Sequence, residues 1–392
     1  MKKGLLLSVV ASGLIYAGGD IAPVAPVQQP AAAPAACDFY GSIGARYDAN
    51  DANTNTTEFG DKVNNTFFTA VDLGVDKQLG YGFGIGAEVG AKKGYHSFAT
   101  GGAGENAGLS QLYLTYKYGN TAIKVGRQAL PKSLSPMAWS DSSVGVKDQT
   151  FEGVLVVNTD IADTALVGAW VHKIVPFGQA GSKINKDNGV FMLAAQYKGI
   201  ANTTLTGSVY YGAKTTGGLP GDYVSAWGSV ESKLQGVNVG LQAVYANLDV
   251  TGVDSTFGVA AYAGGQWDAF DAKLTVAYIN DGDSKINPLG ITSGFWGNVG
   301  YSVIGQQGGE ALGGEEQTIV KLDAGYKLPN NYGKIYAGAA YVKPKTQAEA
   351  TLARVGYSFN VKGLNAKVEY RYGKVDGGVK KQRIRIEGIY KF

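Results

Sequence analysis

The sequence has little of what most enzyme chemistry and metal binding require. Its 392 residues include 1 Cys, 3 Met and 2 His, and charged residues make up 17%. A single Cys cannot form an internal disulfide. The formal net charge of +3 gives no bulk attraction to nucleic acid, so we predict no nucleic-acid partner. Beyond the N-terminus, no run of about 18 apolar residues marks a transmembrane helix.

The two histidines mark no active site. His96 and His172 lie in no metal-binding spacing such as H-E-x-x-H, and the sequence contains no G-x-S-x-G. A hydrolase built on a Ser–His pair is the enzymatic alternative, but nothing marks its serine. We therefore predict that the protein is not an enzyme and uses neither a cofactor nor a metal.

Glycine and tyrosine are abundant instead, with 58 and 24 residues. Together they favour a β protein with many tight turns. The C-terminal stretch KQRIRIEGIYKF shows the pattern clearly, because apolar residues with a terminal Tyr390 and Phe392 alternate with Arg383, Arg385 and other charges. A period of two is typical of a strand with two different faces.

This alternation recurs along the chain and predicts eighteen strands. Their expected spans are 38–48, 66–78, 83–95, 108–118, 121–128, 150–158, 164–175, 189–199, 203–211, 223–234, 237–247, 256–267, 272–280, 316–328, 334–342, 350–359, 364–373 and 380–392. Short turns alternate with longer polar connections, as in a transmembrane β-barrel. The last strand is expected to pair with the first, because lipid tolerates no unpaired edge.

Two stretches that resemble ligand loops have simpler explanations. In GYGFGIGAEVG (80–90), all the glycines share one parity with Glu88, while Phe83, Ile85 and Val89 have the other. This predicts a strand with a small inner face. DANDANTNTTEFGD (48–61) is rich in oxygen ligands but fails the EF-hand spacing, so we expect a solvated loop, with a looser Ca²⁺ site as the alternative.

The barrel parity also predicts a charged lumen. On the last five strands and the first, one face carries basic side chains, of which we select Arg46, Lys321, Arg354, Lys367, Arg371, Arg383 and Arg385 as pore-lining. Further bases of this face are Lys327, Lys334 and Lys391, and its acids are Asp48, Asp323, Glu369 and Glu387. These strands become neighbours once the barrel closes, so one wall should be basic.

The N-terminus reads as a targeting segment. Lys2 and Lys3 precede an apolar run from Gly4 to Ala17, which predicts a signal peptide over residues 1–17. Residues 18–37 form a Pro/Ala-rich linker on the periplasmic side, and residues 38–392 form the barrel. A lipid on Cys37 is a weak alternative, because Pro34 stands where a Leu-like residue is required.

Three motifs carry a family resemblance. AIKVGRQALPKSLSP (122–136), DQTFEGVLV (148–156) and the terminal IEGIYKF resemble OprD-like and Campylobacter-type major outer-membrane porins, although the linker and loops differ. The resemblance implies an 18-stranded channel, often trimeric, in the outer membrane of a Gram-negative bacterium. It also implies that Tyr390 and Phe392 belong to a signal read by the barrel-assembly machinery.

The same resemblance assigns a role to residues 129–149. It implies a constriction loop folded into the lumen, with Lys132, Asp141 and Asp148 as its charged residues and Met137 and Trp139 as apolar anchors. An ordinary external loop is the alternative. The predicted function is passive diffusion of small hydrophilic solutes and ions. The alternatives are a structural or adhesive surface barrel with a blocked lumen, and a substrate-specific channel.

Overall fold

A computed structural model describes residues 37–51, 63–96, 105–133, 135–284, 294–300, 303, 315–378 and 380–392. The predicted signal peptide and the linker up to residue 36 lie outside the described residues, as do residues 52–61 of the Asp/Asn-rich stretch. None of the described residues belongs to a helix long and apolar enough to cross a membrane.

The described residues contain 21 strands and one short 3-10 helix, Pro329–Asn331. The strands are β1 Asp38–Asp51, β2 Val63–Gly80, β3 Phe83–His96, β4 Glu105–Tyr118, β5 Thr121–Gln128, β6 Ser142–Ser143, β7 Val146–Lys147, β8 Gln149–Asn158, β9 Thr164–Pro176, β10 Ser182–Lys183, β11 Val190–Ile200, β12 Thr203–Gly212, β13 Tyr223–Leu234, β14 Val237–Leu248, β15 Thr256–Trp267, β16 Phe270–Ile279, β17 Gln317–Lys327, β18 Lys334–Pro344, β19 Ala350–Val361, β20 Leu364–Val375 and β21 Lys380–Lys391.

Eighteen of the described strands form a closed antiparallel barrel. All of the strands except β6, β7 and β10 pair with their barrel neighbours in chain order, and β21 returns to β1. β10 is a short addition beside β9, and β6 and β7 form a separate hairpin. The predicted fold is confirmed, and each of the eighteen expected segments corresponds to one barrel strand.

The barrel exposes apolar side chains and encloses polar ones, which is the reverse of a soluble protein. Its outer face exposes Leu193 (71%), Leu241 (65%) and Leu114 (57%), while Gln242 and Ser225 are buried on the inner face. A surface that exposes leucine and encloses amides and hydroxyls suits a barrel surrounded by lipid. The period-two alternation of the sequence thus produces an apolar outer belt.

The seam between the first and last strands is closed at its end by Phe392. Its backbone N–H donates to the carbonyl of Gly41 (3.1 Å), and the Gly41 N–H donates back to the Phe392 carbonyl (3.0 Å). The Phe392 ring is half exposed, stacks with Tyr390 at a centroid distance of 6.2 Å, and covers Gly41 on the outer face. An aromatic ring at the barrel end suits the lipid–water boundary.

The glycine-rich strand β3 has the faces expected from its parity. Phe83 and Val89 are half exposed on the outside, and Glu88 is 1% exposed on the inside. A Cβ added at Gly86 would lie 2.2 Å from the Tyr113 ring. Glycine is therefore needed here, because neighbouring side chains fill the space beside the strand.

Candidate functional site: the channel lumen

Residues 129–148 are called the constriction loop, and its described residues, 129–133 and 135–148, fold into the barrel. The loop ends in the β6–β7 hairpin, whose tip residue Val144 is fully buried and has a positive φ of 56°. The Val144 carbonyl packs against Gly44 of β1. A Cβ added to Gly44 would lie only 2.3 Å from the Val144 carbonyl oxygen. A β-branched residue with positive φ is uncommon, so the surrounding contacts must hold the tip in place.

Polar contacts fix the same hairpin to β3. The Lys147 ammonium donates to both carboxylate oxygens of Glu88, at 2.6 and 2.7 Å, and Gln111 donates to the same group at 2.7 Å. Lys92 donates to Ser143 at 2.6 Å. Because the Glu88 side chain has no exposed surface, its charge depends on these partners.

The other half of the constriction loop reaches the wall at β12. Tyr210, fully buried on β12, lies 3.1 Å from the Ser135 hydroxyl and accepts a hydrogen bond from the Met137 N–H at 3.2 Å. Met137 and Ala138 are themselves fully buried. The barrel wall from β1 to β12 contains nine of the eighteen barrel strands. The constriction loop therefore contacts the wall at two places about half a circumference apart.

A second segment, residues 294–300, also packs inside the barrel. Gln242 of β14 donates to the Gly294 carbonyl (3.0 Å) and accepts from the Trp296 N–H (2.8 Å). Phe295 is 2% exposed. A Cβ on Gly294 would lie 2.1 Å from the carbonyl oxygen of Pro136, so this segment and the constriction loop are in contact and narrow the lumen together.

Lysines and aromatic rings meet where these segments line the lumen. The Lys273 ammonium lies 3.6 Å from the centroid of Tyr262 and 5.8 Å from that of Trp296. Lys132 of the constriction loop lies 4.8 Å above the Trp139 ring. Such cation–π contacts fix the ammonium groups while their charge stays available to a passing anion.

Three of the five predicted arginines lie side by side on β19, β20 and β21, while Arg46 lies on β1 and Arg385 lies further along β21. Arg354 is directly opposite Arg371, and Arg371 is directly opposite Arg383. Like charges at directly opposite positions disfavour strand pairing. We call these three residues the arginine row, and its electrostatic cost points to a role other than stability.

Carboxylates of the same wall neutralise part of this charge. Asp48 pairs with Arg46 (2.8 Å) and Arg385 (2.7 Å). Glu369 pairs with Arg371 and lies 3.7 Å from Arg354. Asp48 and Glu369 are thus each shared by two arginines.

Further ion pairs of the same wall also join a basic and an acidic side chain. Arg354 also pairs with Asp323 at 2.8 Å, and Lys367 pairs with Glu387 at 2.8 Å. Arg383, at the end of the arginine row, donates to the amide oxygen of Asn50. A neutral amide leaves the positive charge of Arg383 uncompensated at that contact.

Other residues selected from the sequence have different surroundings. Lys321 donates to the carbonyls of Trp296 (3.2 Å) and Asn298 (2.9 Å), so it holds the second segment. Asp148 meets Lys92 of β3 at 3.5 Å, and the Asp141 carboxylate accepts from the Ser142 N–H at 2.8 Å. The loop acids thus contact β3 and the hairpin.

Sequence reasoning missed several residues of the lumen. Neither the parity of the last five strands and the first nor the family resemblance points to Lys147, Lys273 or Trp296. Residues 294–300 lie within the connection 281–315, whose length and polarity predict an external loop. The available signal was the length of that connection together with Phe295 and Trp296, an aromatic pair between two glycines. Among the described residues, no group of three or more His, Cys, Asp or Glu side chains is placed to hold a metal ion.

A closed eighteen-stranded barrel with a lumen narrowed by inward segments is the architecture of a porin. No family model matches the chain, and neither does any curated protein. Solved structures do match. The chain is similar to Pseudomonas aeruginosa OccK8 (OprE), with a TM-score of 0.70 and 14% identity, covering 91% of this chain and 98% of that chain.

Two further structures give the same result. A BenF-like porin from Pseudomonas fluorescens Pf-5 has a TM-score of 0.68 and 14% identity, covering 91% of this chain and 99% of that chain. Acinetobacter baumannii OccAB4 has a TM-score of 0.67 and 14% identity, covering 92% and 98%. The predicted resemblance to OprD-like porins is confirmed for the fold, and the chain has the fold of these outer-membrane porins.

Proposed function

We propose that the protein is an outer-membrane channel through which small hydrophilic solutes and ions diffuse passively. The observation that carries this proposal is the lumen, where two inward segments narrow a closed barrel whose remaining wall displays the arginine row. Transport then depends on pore width and lining charge. No bond is made or broken, so the proposal includes neither a catalytic residue nor a cofactor.

The charge on the wall favours solutes that carry a carboxylate. Positive groups in a narrow, partly desolvated gap act on an anion roughly four times more strongly than in bulk water if the effective dielectric constant is about 20. Arg383 has a neutral partner in Asn50, and Lys273 and Lys132 lie over aromatic rings. This arrangement supports the substrate-specific form of the channel.

The contact between Gly294 and Pro136 favours one other candidate, a structural surface barrel whose lumen is blocked. Single-channel conductance in a planar bilayer separates the two functions. We expect discrete conductance steps, and a reversal potential in a salt gradient that indicates preference for anions. A purified, folded protein that gives no conductance would support the blocked barrel.

The proposed partners follow from the same architecture. The exposed apolar belt supports contact with outer-membrane lipid. Tyr390 and Phe392 at the closing strand support recognition by the barrel-assembly machinery. A homotrimer rests on the family resemblance alone, and the mass of the detergent-solubilised protein on a native gel tests it.

A further inference from the structure

The outer face of the barrel carries a row of charges where lipid contact is expected. Arg127 of β5 is directly opposite Glu152 of β8, Glu152 is opposite Lys173 of β9, and Lys173 is opposite Lys183 of β10. We call these four residues the outer basic row. It places three cations and one carboxylate in line on four adjoining strands, on the face opposite to the lumen.

Glu152 and Asp187 together leave one of the three cations without a hydrogen-bonded carboxylate. Arg127 donates to Glu152 at 2.7 and 3.1 Å, which is the geometry of a charge-assisted pair. The Lys173 ammonium lies 3.7 Å from the same oxygen, beyond ordinary hydrogen-bonding distance. Lys183 pairs with Asp187, and both of these side chains are largely exposed. The donors of Lys173 therefore remain available to a further anion.

The row lies directly beyond an apolar surface. Val125, Leu112 and Leu166 are 45%, 47% and 39% exposed on the same outer face. Arg127 is the penultimate residue of β5, and Lys173 lies three residues before the end of β9. The cations thus occupy the ends of strands that lead into the longer connections, and the apolar residues lie further from those ends on the same face.

An interfacial aromatic residue lies beside the row. Trp170 stacks on His172 with a centroid distance of 5.0 Å, and its indole N–H donates to the Asn188 carbonyl at 2.8 Å. His172 Nε2 lies 3.9 Å from Glu152. Tryptophan with one polar and one apolar end is typical of the boundary between lipid chains and headgroups.

We propose that the outer basic row binds the phosphate group of an anionic glycolipid in the outer leaflet. The acyl chains would lie on the apolar surface below the row. The phosphate would accept hydrogen bonds from Lys173 and, in exchange for its exposed partner Asp187, from Lys183. This inference rests on the proposed outer-membrane location. An excess of cations above an apolar belt matches an amphipathic anion, whereas the same face on a second copy would bring like charges together.

The test uses the full chain folded in dodecyl maltoside. Lipid A in bis-phosphorylated and phosphate-free forms is titrated into the protein, and bound lipid is counted by native mass spectrometry. The test variant is Lys173→Gln with Lys183→Gln, which keeps the Arg127–Glu152 pair. The matched control is Lys77→Gln with Lys343→Gln, which removes the same charge from exposed outward positions elsewhere on the barrel.

We expect the wild type and the control to prefer the phosphorylated lipid. The test variant, which loses both proposed phosphate donors, should bind it at least about tenfold more weakly, because loss of a single charge-assisted contact already implies that factor. Equal affinity of the wild type for both lipids, or of the test variant and the wild type for the phosphorylated lipid, would overturn the proposal. Inorganic phosphate that displaces the lipid completely would show a free-phosphate site instead. Cross-linking of a Lys173→Cys variant to a second copy would show a protein interface.

Channel conductance of the test variant is measured in parallel. We expect it to be unchanged, because the row lies outside the lumen. A test variant that loses the lipid preference but conducts normally therefore supports the lipid site and leaves the channel function unaffected. Absence of conductance in every variant would contradict the proposed channel function without affecting the lipid result.

Discussion

A single lysine joins the constriction loop to a buried carboxylate of the wall. Lys147 contributes two short contacts to Glu88, and Gln111 and Tyr40 also donate to that carboxylate, at 2.7 and 3.4 Å. Parity alone predicts that Glu88 faces inward. It does not predict the partner, because Lys147 is 59 residues away in a segment without periodicity.

Removing the lysine should release the hairpin from the wall. We expect Lys147→Met to leave a buried carboxylate without its cation, a change that costs on the order of 3–5 kcal/mol where such pairs are broken. Releasing the hairpin is the local response that relieves this cost. Single-channel recordings should show a larger and noisier conductance. The gel migration of the variant should still change on heating, which indicates that the barrel itself is folded.

The control is Lys183→Met, which breaks an exposed pair on the outside of the barrel. Exposed pairs contribute about 0–1 kcal/mol, so its recordings should match the wild type. A quiet, wild-type conductance for Lys147→Met would mean that the contacts of Val144 and Tyr210 hold the loop without this pair.

The closing strand β21 seals the barrel by pairing with β1, and Phe392 completes that pairing. Deleting Phe392 removes both backbone hydrogen bonds to Gly41 and uncovers the seam between β1 and β21. We expect the deletion, and Phe392→Lys, to reduce the amount of folded protein in the outer membrane, measured by surface labelling and heat-modifiable migration. Phe392→Tyr should assemble normally, since it keeps an aromatic ring at the interface.

Phe39 provides the matched control, because it is 78% exposed on the outer face near the start of β1. If loss of any terminal aromatic impaired assembly, Phe39→Lys would have the same effect as Phe392→Lys. We expect a smaller effect, because Phe39 does not cover the seam. Normal surface yield after deletion of Phe392 would contradict the proposed role of the closing strand.

Two outer connections are joined by one acid. Glu315, just before β17, accepts hydrogen bonds from the Thr346 hydroxyl (2.7 Å) and from the backbone N–H groups of Thr346 (3.0 Å) and Gln347 (2.9 Å). Burial would raise the pKa of this carboxyl, but these hydrogen bonds outweigh it and hold the pKa below its usual value. The folded state therefore favours the ionised form.

This tether should weaken in acid. Because the folded-state pKa is depressed, the stabilisation is fully present above the unfolded pKa and is lost as the pH falls through the folded pKa. We expect hydrogen-exchange protection of the Thr346 and Gln347 amides to fall over that range. In Glu315→Gln the protection should be lower at neutral pH and nearly independent of pH. Unchanged protection in this variant would show that the connections are held by other contacts.

The sequence predicts elements well and their interior packing poorly. Strands such as β13 and β15 are recovered with the same boundaries, because a period of two must be kept wherever lipid and lumen lie on opposite faces. Residues 294–300 have no such constraint. Their inward position depends on Gln242 and Lys321, two residues of distant strands, and no local pattern encodes that packing.

At the scale of the whole barrel, closure brings together charges that are far apart in sequence. Asn50 and Arg383 become direct neighbours across the seam, and the arginine row continues from there through Arg371 to Arg354. Parity predicted which face these arginines occupy. It could not predict how far acids neutralise them, because that depends on which carboxylates closure brings opposite, as with Asp48 and Arg385.

The last prediction concerns the field of this wall. Arg383→Gln with Arg371→Gln removes two charges of the row and keeps Arg385, which pairs with Asp48. In a salt gradient at about 0.1 M, where the screening length is about 10 Å, the reversal potential should shift toward cations. At about 1 M salt the screening length falls to about 3 Å, and the shift should shrink. Glu369 loses Arg371 in this variant but keeps Arg354 at 3.7 Å and the Tyr336 hydroxyl at 3.0 Å. Because the opposed like charges are also relieved, we expect the variant to fold.

Lys77→Gln with Lys343→Gln removes the same formal charge from the outer face and serves as the control. Its reversal potential should equal that of the wild type at both salt concentrations, since neither lysine lies on the lumen face. Arg383→Lys with Arg371→Lys keeps the charge and removes the planar guanidinium, so it should preserve ion selectivity while weakening any bidentate contact with a carboxylate. If the reversal potential of the Gln variant at low salt equals that of the wild type, ions pass through the lumen without meeting this wall, and the path must run beside Lys132 and Lys273.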